Sequence, residues 1–176
     1  TREALVTALE RLLVDQSDRQ EVLIYYTGHA VVVEEDFGEQ RGYLAVSNTG
    51  LRLSPGKKIT GIENGIPLDS LGKLTGRATV SNLVMILDCC HSETLLEETQ
   101  SYLQRSLVTQ AFAEFKKNYF LVSACRKFQE AYAYRSQEHS VFTGALLDSL
   151  ARENANDRGI INASQMYSYI TERLRG

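Results

Sequence analysis

The sequence is poor in the features that mark membrane, fibrous or disordered chains. It has two prolines and no tryptophan among 176 residues, and no apolar run approaches the roughly 18–20 residues that span a bilayer. Apolar residues make up 43% and charged residues 23% of the chain, which is typical of a globular protein. We therefore predict one globular domain over residues 1–176, with no membrane partner.

An excess of either charge is also missing. Lys and Arg number 19 against 22 Asp and Glu, a formal net charge of −3, so there is no cationic field to attract nucleic acid. Cysteine is scarce and odd in number, at Cys89, Cys90 and Cys125, and a vicinal pair is poorly placed to form a disulfide. Unbridged thiols fit a reducing compartment, so we expect a cytoplasmic protein.

Short apolar runs alternate with helical periodicities along the chain, which predicts an α/β fold with a mostly parallel sheet covered by helices on both faces. The predicted buried strands are residues 21–26, 82–88 and 118–124. The predicted helices are residues 1–16, 68–76, 108–115, 141–152 (capped by Ser140) and 163–174 (capped by Asn162).

The first strand is followed by three segments rich in turn-forming residues. Thr27–Ala30 is typical of a turn, residues 36–39 of the tip of a β-hairpin, and the stretch up to Pro67, which contains Gly, Pro and Asn, of a loop.

Two reactive side chains follow apolar strands directly. His29 comes after the first strand and Cys90 after the second, and open parallel sheets react at the carboxyl ends of their strands. A thiol beside an imidazole supplies a nucleophile and a general base. Asp88 lies two residues before Cys90, so the strand period places its carboxylate on the same side, where it would favour an Arg or Lys of a substrate.

Each of these residues also has a structural interpretation. A histidine after a strand is often a turn or core residue, and Cys89 and Cys125 fit small buried hydrophobes. Asp88 could cap a following helix. Zinc is disfavoured because Cys89, Cys90, His91 and Cys125 show none of the usual ligand spacings.

Four segments together resemble the caspase-like cysteine peptidases, with metacaspases and bacterial orthocaspases as the most similar branch. They are YYTGHA (25–30), LDCCHS (87–92), LVSACRKFQEAY (121–132) and HSVFTGALLDSL (139–150). The resemblance implies a caspase-like fold over residues 1–176 and a prokaryotic-type endopeptidase that cuts proteins or peptides after Arg or Lys. The Gln-Ala-Cys signature of the true caspases, which cut after aspartate, is absent.

The resemblance also implies roles for individual residues. His29 and Cys90 would be the catalytic dyad, the backbone N–H groups of Ala30 and Cys90 the oxyanion hole, and Asp88 and Thr27 part of the pocket for the basic residue. Arg105, Lys116 and Lys117 lie where members of this family are cut between their large and small parts. They are therefore the expected self-cleavage sites.

The chain departs from the family pattern in three places. Ala30 and Glu93 replace glycines, and the family's usual first core strand has no counterpart, so we expect either a fragment or a different strand order, with regulatory domains attached outside this chain. Many metacaspases need calcium, and residues 34–36 are all acidic. Three acids at a hairpin tip are more often simply solvated, so no metal or other cofactor is predicted to be required.

Two other functions are compatible with the sequence. One is a catalytically silent caspase-like domain that signals or serves as a scaffold. The other is a separase-like relative with a different specificity. Retention of His29 and Cys90 argues against the first, and the Asp-x-Cys-His-Ser string at residues 88–92 argues against the second.

Overall fold

The computed structural model describes residues 1–14, 20–56, 58–90, 118–123 and 139–173. The chain forms two compact units, Thr1–Phe128 and Gln129–Gly176. The predicted helix at residues 108–115 lies outside the described residues.

The first unit opens with a helix that is capped at both ends. Helix α1 spans Arg2–Leu13, and the Thr1 side chain accepts a hydrogen bond from the Ala4 N–H at its start. At the other end, the Thr79 N–H donates to the Leu13 carbonyl at 2.9 Å. Because the last carbonyls of a helix have no partner within the helix, Thr79 ties the end of α1 to the segment that precedes the second core strand.

The main sheet has five strands in the order β5-β2-β1-β6-β7. Strands β1, β6 and β7 are mutually parallel, while β2 pairs with β1, and β5 with β2, in antiparallel fashion. The sheet is therefore mixed, with the predicted parallel arrangement at its centre. The strand bounds are β1 Glu21–Glu34, β2 Gln40–Leu44, β3 Gly50–Leu53, β4 Ile59–Glu63, β5 Ile66–Pro67, β6 Asn82–Cys90 and β7 Asn118–Ser123.

Two predictions about the first half of the chain are wrong. No turn interrupts Thr27–Ala30, because β1 runs on to Glu34 and pairs with β2 from Ala30 onward. The segment up to Pro67 is not a loop, since β3 and β4 form a separate antiparallel pair and β5 joins the main sheet. The hairpin predicted at residues 36–39 is present, as a short 3-10 turn at Asp36–Gly38.

The hairpin of β1 and β2 is linked to a second helix, α2, which spans Leu68–Gly76 and ends where the sequence predicts. The Arg41 guanidinium donates to both carboxylate oxygens of Asp69, at 3.1 Å and 2.9 Å from Nη2. Burial of the Asp69 carboxyl would raise its pKa, but the hydrogen bonds and charge of Arg41 outweigh burial and lower it. The pair is partly exposed, so it contributes about 1 kcal/mol or less.

One face of the main sheet carries a large apolar cluster, which is separate from a smaller one among the described residues. Helices α1 and α2 pack there on alternate residues of β1 and β6, and Leu13 and Met85 are completely enclosed. The core residues of this cluster are Leu9, Leu13, Val22, Ala30, Leu44, Ile66, Leu68, Leu71, Ala78, Val80, Leu83, Met85, Leu87 and Cys89. On the other side of β1, Leu23 is 62% and Tyr25 39% exposed. The apolar run that starts β1 is therefore buried on one face and largely exposed on the other.

The second unit contains the two helices that were predicted near the end of the chain. Helix α3 spans Val141–Ser149, and the Ser140 side chain accepts from the Thr143 N–H at 2.9 Å. Helix α4 spans Ala163–Arg173, and the Asn162 side chain accepts from the Ser164 N–H at 2.8 Å. Both predicted N-caps are confirmed. Helix α3 ends three residues earlier than predicted, and a 3-10 turn at Arg152–Asn154 follows it.

Candidate active site at the junction of β1 and β6

The ends of the two sequence motifs lie side by side in the sheet. In the parallel pairing of β1 with β6, Thr27 is opposite Asp88, Gly28 opposite Cys89, and His29 opposite Cys90. Neighbouring strands are about 4.8 Å apart, so the backbones of His29 and Cys90 are direct neighbours. The His29 side chain is exposed. The register thus brings together the two residues that the sequence analysis singled out.

The vicinal cysteines lie at successive positions of one strand, and the first of them belongs to the core. Cys89 is buried in the same apolar cluster as Leu87 and the helices α1 and α2. Successive residues of a strand point to opposite faces of the sheet. His29 and Cys89 are therefore on opposite faces, and Cys89 behaves as the small buried hydrophobe that was expected.

Asp88 is the most enclosed charged residue in the described ranges, with 1% of its surface exposed. The Tyr25 hydroxyl donates a hydrogen bond to its Oδ2 at 3.3 Å. Thr27, opposite Asp88 in the register, is exposed. Tyr25 lies two residues before Thr27 on the same face of β1. An exposed hydroxyl and a phenol therefore adjoin a carboxylate that lies just below the surface.

Tyr26 contacts the main chain of the candidate site from the other face of β1, which the sequence did not predict. Its single O–H lies between two carbonyl oxygens, that of Ala45 at 2.6 Å and that of His29 at 2.9 Å, so its one proton is shared between the two acceptors. Burial raises the pKa of this phenol to about 12, so it keeps its proton at neutral pH. An aromatic residue inside an apolar strand normally indicates core packing, so the only signal in the sequence was the small Gly28 two positions later.

Gly28 leaves room for this tyrosine. A Cβ at position 28 would lie 2.7 Å from the Tyr26 hydroxyl oxygen and 3.0 Å from Cζ of its ring. The phenol therefore crosses the strand directly over Gly28 to reach the His29 carbonyl. Any side chain at position 28 would displace it.

At the residue pair His29–Ala30, strand β1 changes partners. Its pairing with β6 ends at His29, and its pairing with β2 begins at Ala30. The His29 carbonyl accepts a hydrogen bond from the Ala45 N–H at 2.9 Å, so this carbonyl points toward β2. Because the peptide bond is trans and planar, the Ala30 N–H points the opposite way, toward β6.

Two of the three acids at the hairpin tip, Glu34 and Glu35, each lie beside a basic or hydroxyl group of the protein. Glu35 accepts a hydrogen bond from the Tyr43 hydroxyl at 2.7 Å and lies 3.7 Å from the Arg41 guanidinium. Glu34 lies 3.7 Å from the Lys58 ammonium. Both carboxylates thus have protein partners, and no step of the chemistry is assigned to calcium.

Other predicted positions are outside the part of the chain that can be described. They are His91, Glu93, Arg105, Lys116, Lys117 and Cys125. Within the described ranges, no three or more His, Cys, Asp or Glu side chains are grouped so that they could hold a metal ion.

Comparison with known proteins settles the family. The model of the family described as "Caspase domain" matches residues 1–175. The chain belongs to the caspase domain family. The match runs through both compact units, and the α/β fold predicted from the sequence is confirmed. Members of this family are typically cysteine peptidases. The family match therefore indicates a function of the cysteine peptidase type.

A solved structure shares the architecture of this caspase domain. The crystal structure of protein GSU0716 from Geobacter sulfurreducens is 16% identical, with a TM-score of 0.59, over 98% of this chain and 69% of that chain. At this identity, the likeness concerns the fold. No curated protein matches the sequence. None of the described helices has the length and apolar character that crossing a bilayer requires.

Proposed function

We propose that this caspase domain is a cysteine endopeptidase that cleaves proteins or peptides after Arg or Lys. The observation that carries the proposal is the register of β1 and β6, in which His29 and Cys90 are opposite each other where the parallel pairing ends. A histidine that is exposed to solvent at this point is available to a substrate. The family match supports peptidase chemistry.

In the proposed reaction, His29 removes the proton from the Cys90 thiol, and the thiolate attacks the carbonyl carbon of the scissile peptide bond. The C–N bond then breaks, and the leaving amine takes the proton from the His29 imidazolium. This leaves a thioester on Cys90. A water molecule, deprotonated by His29, attacks the thioester, releases the carboxylic acid and restores the thiol.

The oxyanion formed during the attack needs hydrogen-bond donors. We assign this role to the backbone N–H groups of Ala30 and Cys90. The trans peptide and the fixed His29 carbonyl, which direct the Ala30 N–H toward β6, support the assignment. Because the donor is a backbone group, the alanine that replaces the family's usual glycine does not remove it.

Specificity for a basic residue is assigned to Asp88, with Thr27 beside it. An enclosed carboxylate is costly unless it is paired, and the Tyr25 hydroxyl supplies one hydrogen bond. A substrate guanidinium can offer this carboxylate two parallel, charge-assisted hydrogen bonds, and Thr27 lies opposite Asp88 in the register with its side chain exposed. Burial of Asp88 strengthens its attraction for a cation that reaches it.

Several broader features belong to the same proposal. We infer a metacaspase or orthocaspase-like enzyme of prokaryotic type that acts in the cytoplasm without a cofactor, on protein or peptide substrates, under the control of domains outside this chain. The motif LDCCHS (87–92) and the absence of the Gln-Ala-Cys signature support this branch.

A panel of fluorogenic peptides that differ only in the residue before the cleaved bond tests the proposed function. Wild-type protein is expected to hydrolyse the Arg and Lys peptides and to lose this activity after treatment with iodoacetamide, while the Asp peptide stays intact. No hydrolysis of any peptide would instead favour the silent scaffold. Hydrolysis after Asp, or after a residue outside the Arg and Lys class, would contradict the assigned specificity.

Self-cleavage is expected in the segment that contains Arg105, Lys116 and Lys117. Intact-mass measurement of purified wild type should show two fragments whose new ends follow one of these residues. Cys90→Ala should stay whole, and Cys89→Ala should be cut like wild type because Cys89 lies in the core. Fragments in the Cys90→Ala sample would mean that another protease makes the cut.

A further inference from the structure

The phenol of Tyr26 makes an unusual pair of contacts for a core aromatic residue. Its ring packs against the apolar cluster under α1 and α2, yet its hydroxyl reaches the main chain at the residue proposed as general base. The two acceptors are the carbonyls of His29 and Ala45, which belong to β1 and to the segment that follows β2. One O–H group thus links β1 to the segment that follows β2, at the point where the pairing of β1 with β6 ends.

We propose that Tyr26 is a positioning residue for catalysis. Its hydroxyl, together with the Ala45 N–H, holds the His29–Ala30 peptide in the orientation that aims the Ala30 N–H at the reacting carbonyl. This inference rests on the proposed function, because it concerns the geometry of the oxyanion hole.

The rigidity of the peptide unit transmits the effect. The His29 carbonyl and the Ala30 N–H belong to one planar group, so a rotation that moves the carbonyl moves the N–H by the same angle. On the carbonyl side, two groups contact the His29 oxygen at 2.9 Å each, the Ala45 N–H and the Tyr26 O–H, whose proton is shared with the Ala45 carbonyl. Loss of one donor lets the plane tilt and misdirects the Ala30 N–H, although no group that touches the substrate has been removed.

Gly28 is needed for the same contact between Tyr26 and the His29 carbonyl. The phenol reaches the His29 carbonyl only because position 28 has no Cβ, which would lie 2.7 Å from the phenol oxygen. The order Tyr-x-Gly-His at residues 26–29 is therefore explained by packing, because the glycine leaves space for the phenol. The tyrosine and the glycine share one face of β1, and the histidine that they position presents its side chain on the other face.

The test compares Tyr26→Phe with Tyr43→Phe. Tyr43 is a matched control because it lies in β2 and its hydroxyl also donates one short hydrogen bond, to Glu35 at 2.7 Å, but does not contact the His29–Ala30 peptide. Removal of a whole oxyanion donor lowers kcat by about 10²- to 10³-fold. For a tilted donor we expect a smaller loss in Tyr26→Phe, about 10-fold in kcat with KM unchanged. Tyr43→Phe should keep the wild-type kcat.

A second measurement reports on the peptide without catalysis. Amide hydrogen exchange at Ala45, whose N–H donates to the His29 carbonyl, should be at least severalfold faster in Tyr26→Phe than in wild type, and unchanged in Tyr43→Phe. If the melting temperatures of the two variants are similar while only Tyr26→Phe loses kcat, the loss is one of positioning rather than of general stability.

Gly28→Ala keeps the phenol but displaces it, and so provides a second route to the same defect. We expect a loss of kcat similar to that of Tyr26→Phe, and a double variant whose loss is less than the product of the two single losses. Full kcat in Tyr26→Phe, unchanged exchange at Ala45, or multiplicative losses in the double variant would each overturn the inference while leaving the proposed function intact. Wild-type protein that hydrolyses no peptide would overturn both.

Discussion

Cys90→Ala is expected to lower kcat/KM for Arg and Lys peptides by about 10³-fold or more, to the level of the enzyme-free background. Alanine removes the sulfur that forms the thioester and leaves the backbone N–H in place. Because position 90 is opposite His29 in the register, no other described thiol can take over the role. The measurement is hydrolysis of the fluorogenic peptides at matched protein concentration.

Cys89→Ala is the matched control, since it removes the same atoms one residue earlier. Its thiol is buried among Leu87 and the other core residues, so we expect a lower melting temperature and nearly unchanged kcat/KM. Activity that survives in Cys90→Ala but vanishes in Cys89→Ala would mean that Cys89, and not Cys90, is the nucleophile. It would also require a different register of β6 from the one described.

Asp88→Asn is expected to remove the preference for basic substrates. Asparagine has nearly the same shape and can still accept the hydrogen bond from Tyr25, but it has no charge to pair with a guanidinium. Loss of one partner of a buried charge pair costs about 2–5 kcal/mol, so kcat/KM for the Arg peptide should fall by roughly 30-fold to 4 × 10³-fold at tenfold per 1.4 kcal/mol. A peptide with a neutral residue at the same position should lose far less.

Asp69→Asn serves as the control for a general effect of lost charge. It removes the same charge from a carboxylate that pairs with Arg41, away from the residues assigned to the site. We expect unchanged preference for Arg over neutral peptides in this variant. If Asp88→Asn retains the wild-type preference, the basic pocket must be built from other residues.

The sequence identified the central strands because each is a short, nearly continuous apolar run, which favours a strand that is buried in a sheet. The runs that begin at Glu21, Asn82 and Asn118 all form strands. The prediction of a turn at Thr27–Ala30, made because glycine and threonine favour turns, was wrong because pairing with β6 through His29 and with β2 from Ala30 keeps the segment extended. Strand β3, with its glycine, and the two-residue β5 were missed because they depend on tertiary pairing rather than on local preference.

The candidate site was only partly accessible from the sequence. The expected parallel sheet and the position of His29 and Cys90 after apolar runs predicted that they would be close. The register that makes them opposite each other cannot be read from one strand alone, because it depends on how β1 and β6 slide past each other. For the same reason, the contact of Tyr25 with Asp88 became visible only in the structure, whereas the burial of Cys89 was expected from its residue type.

The change of partners in β1 also bears on how the protein folds. The hairpin with β2 joins residues that are close in the sequence, such as Glu34 and Gln40, whereas the pairing of His29 with Cys90 must close a loop of about sixty residues. Local contacts generally form faster than distant ones. We expect the hairpin next to His29 to form early and the pairing of His29 with Cys90 to form late. A newly made chain would then acquire the proposed peptidase site only in its last folding steps.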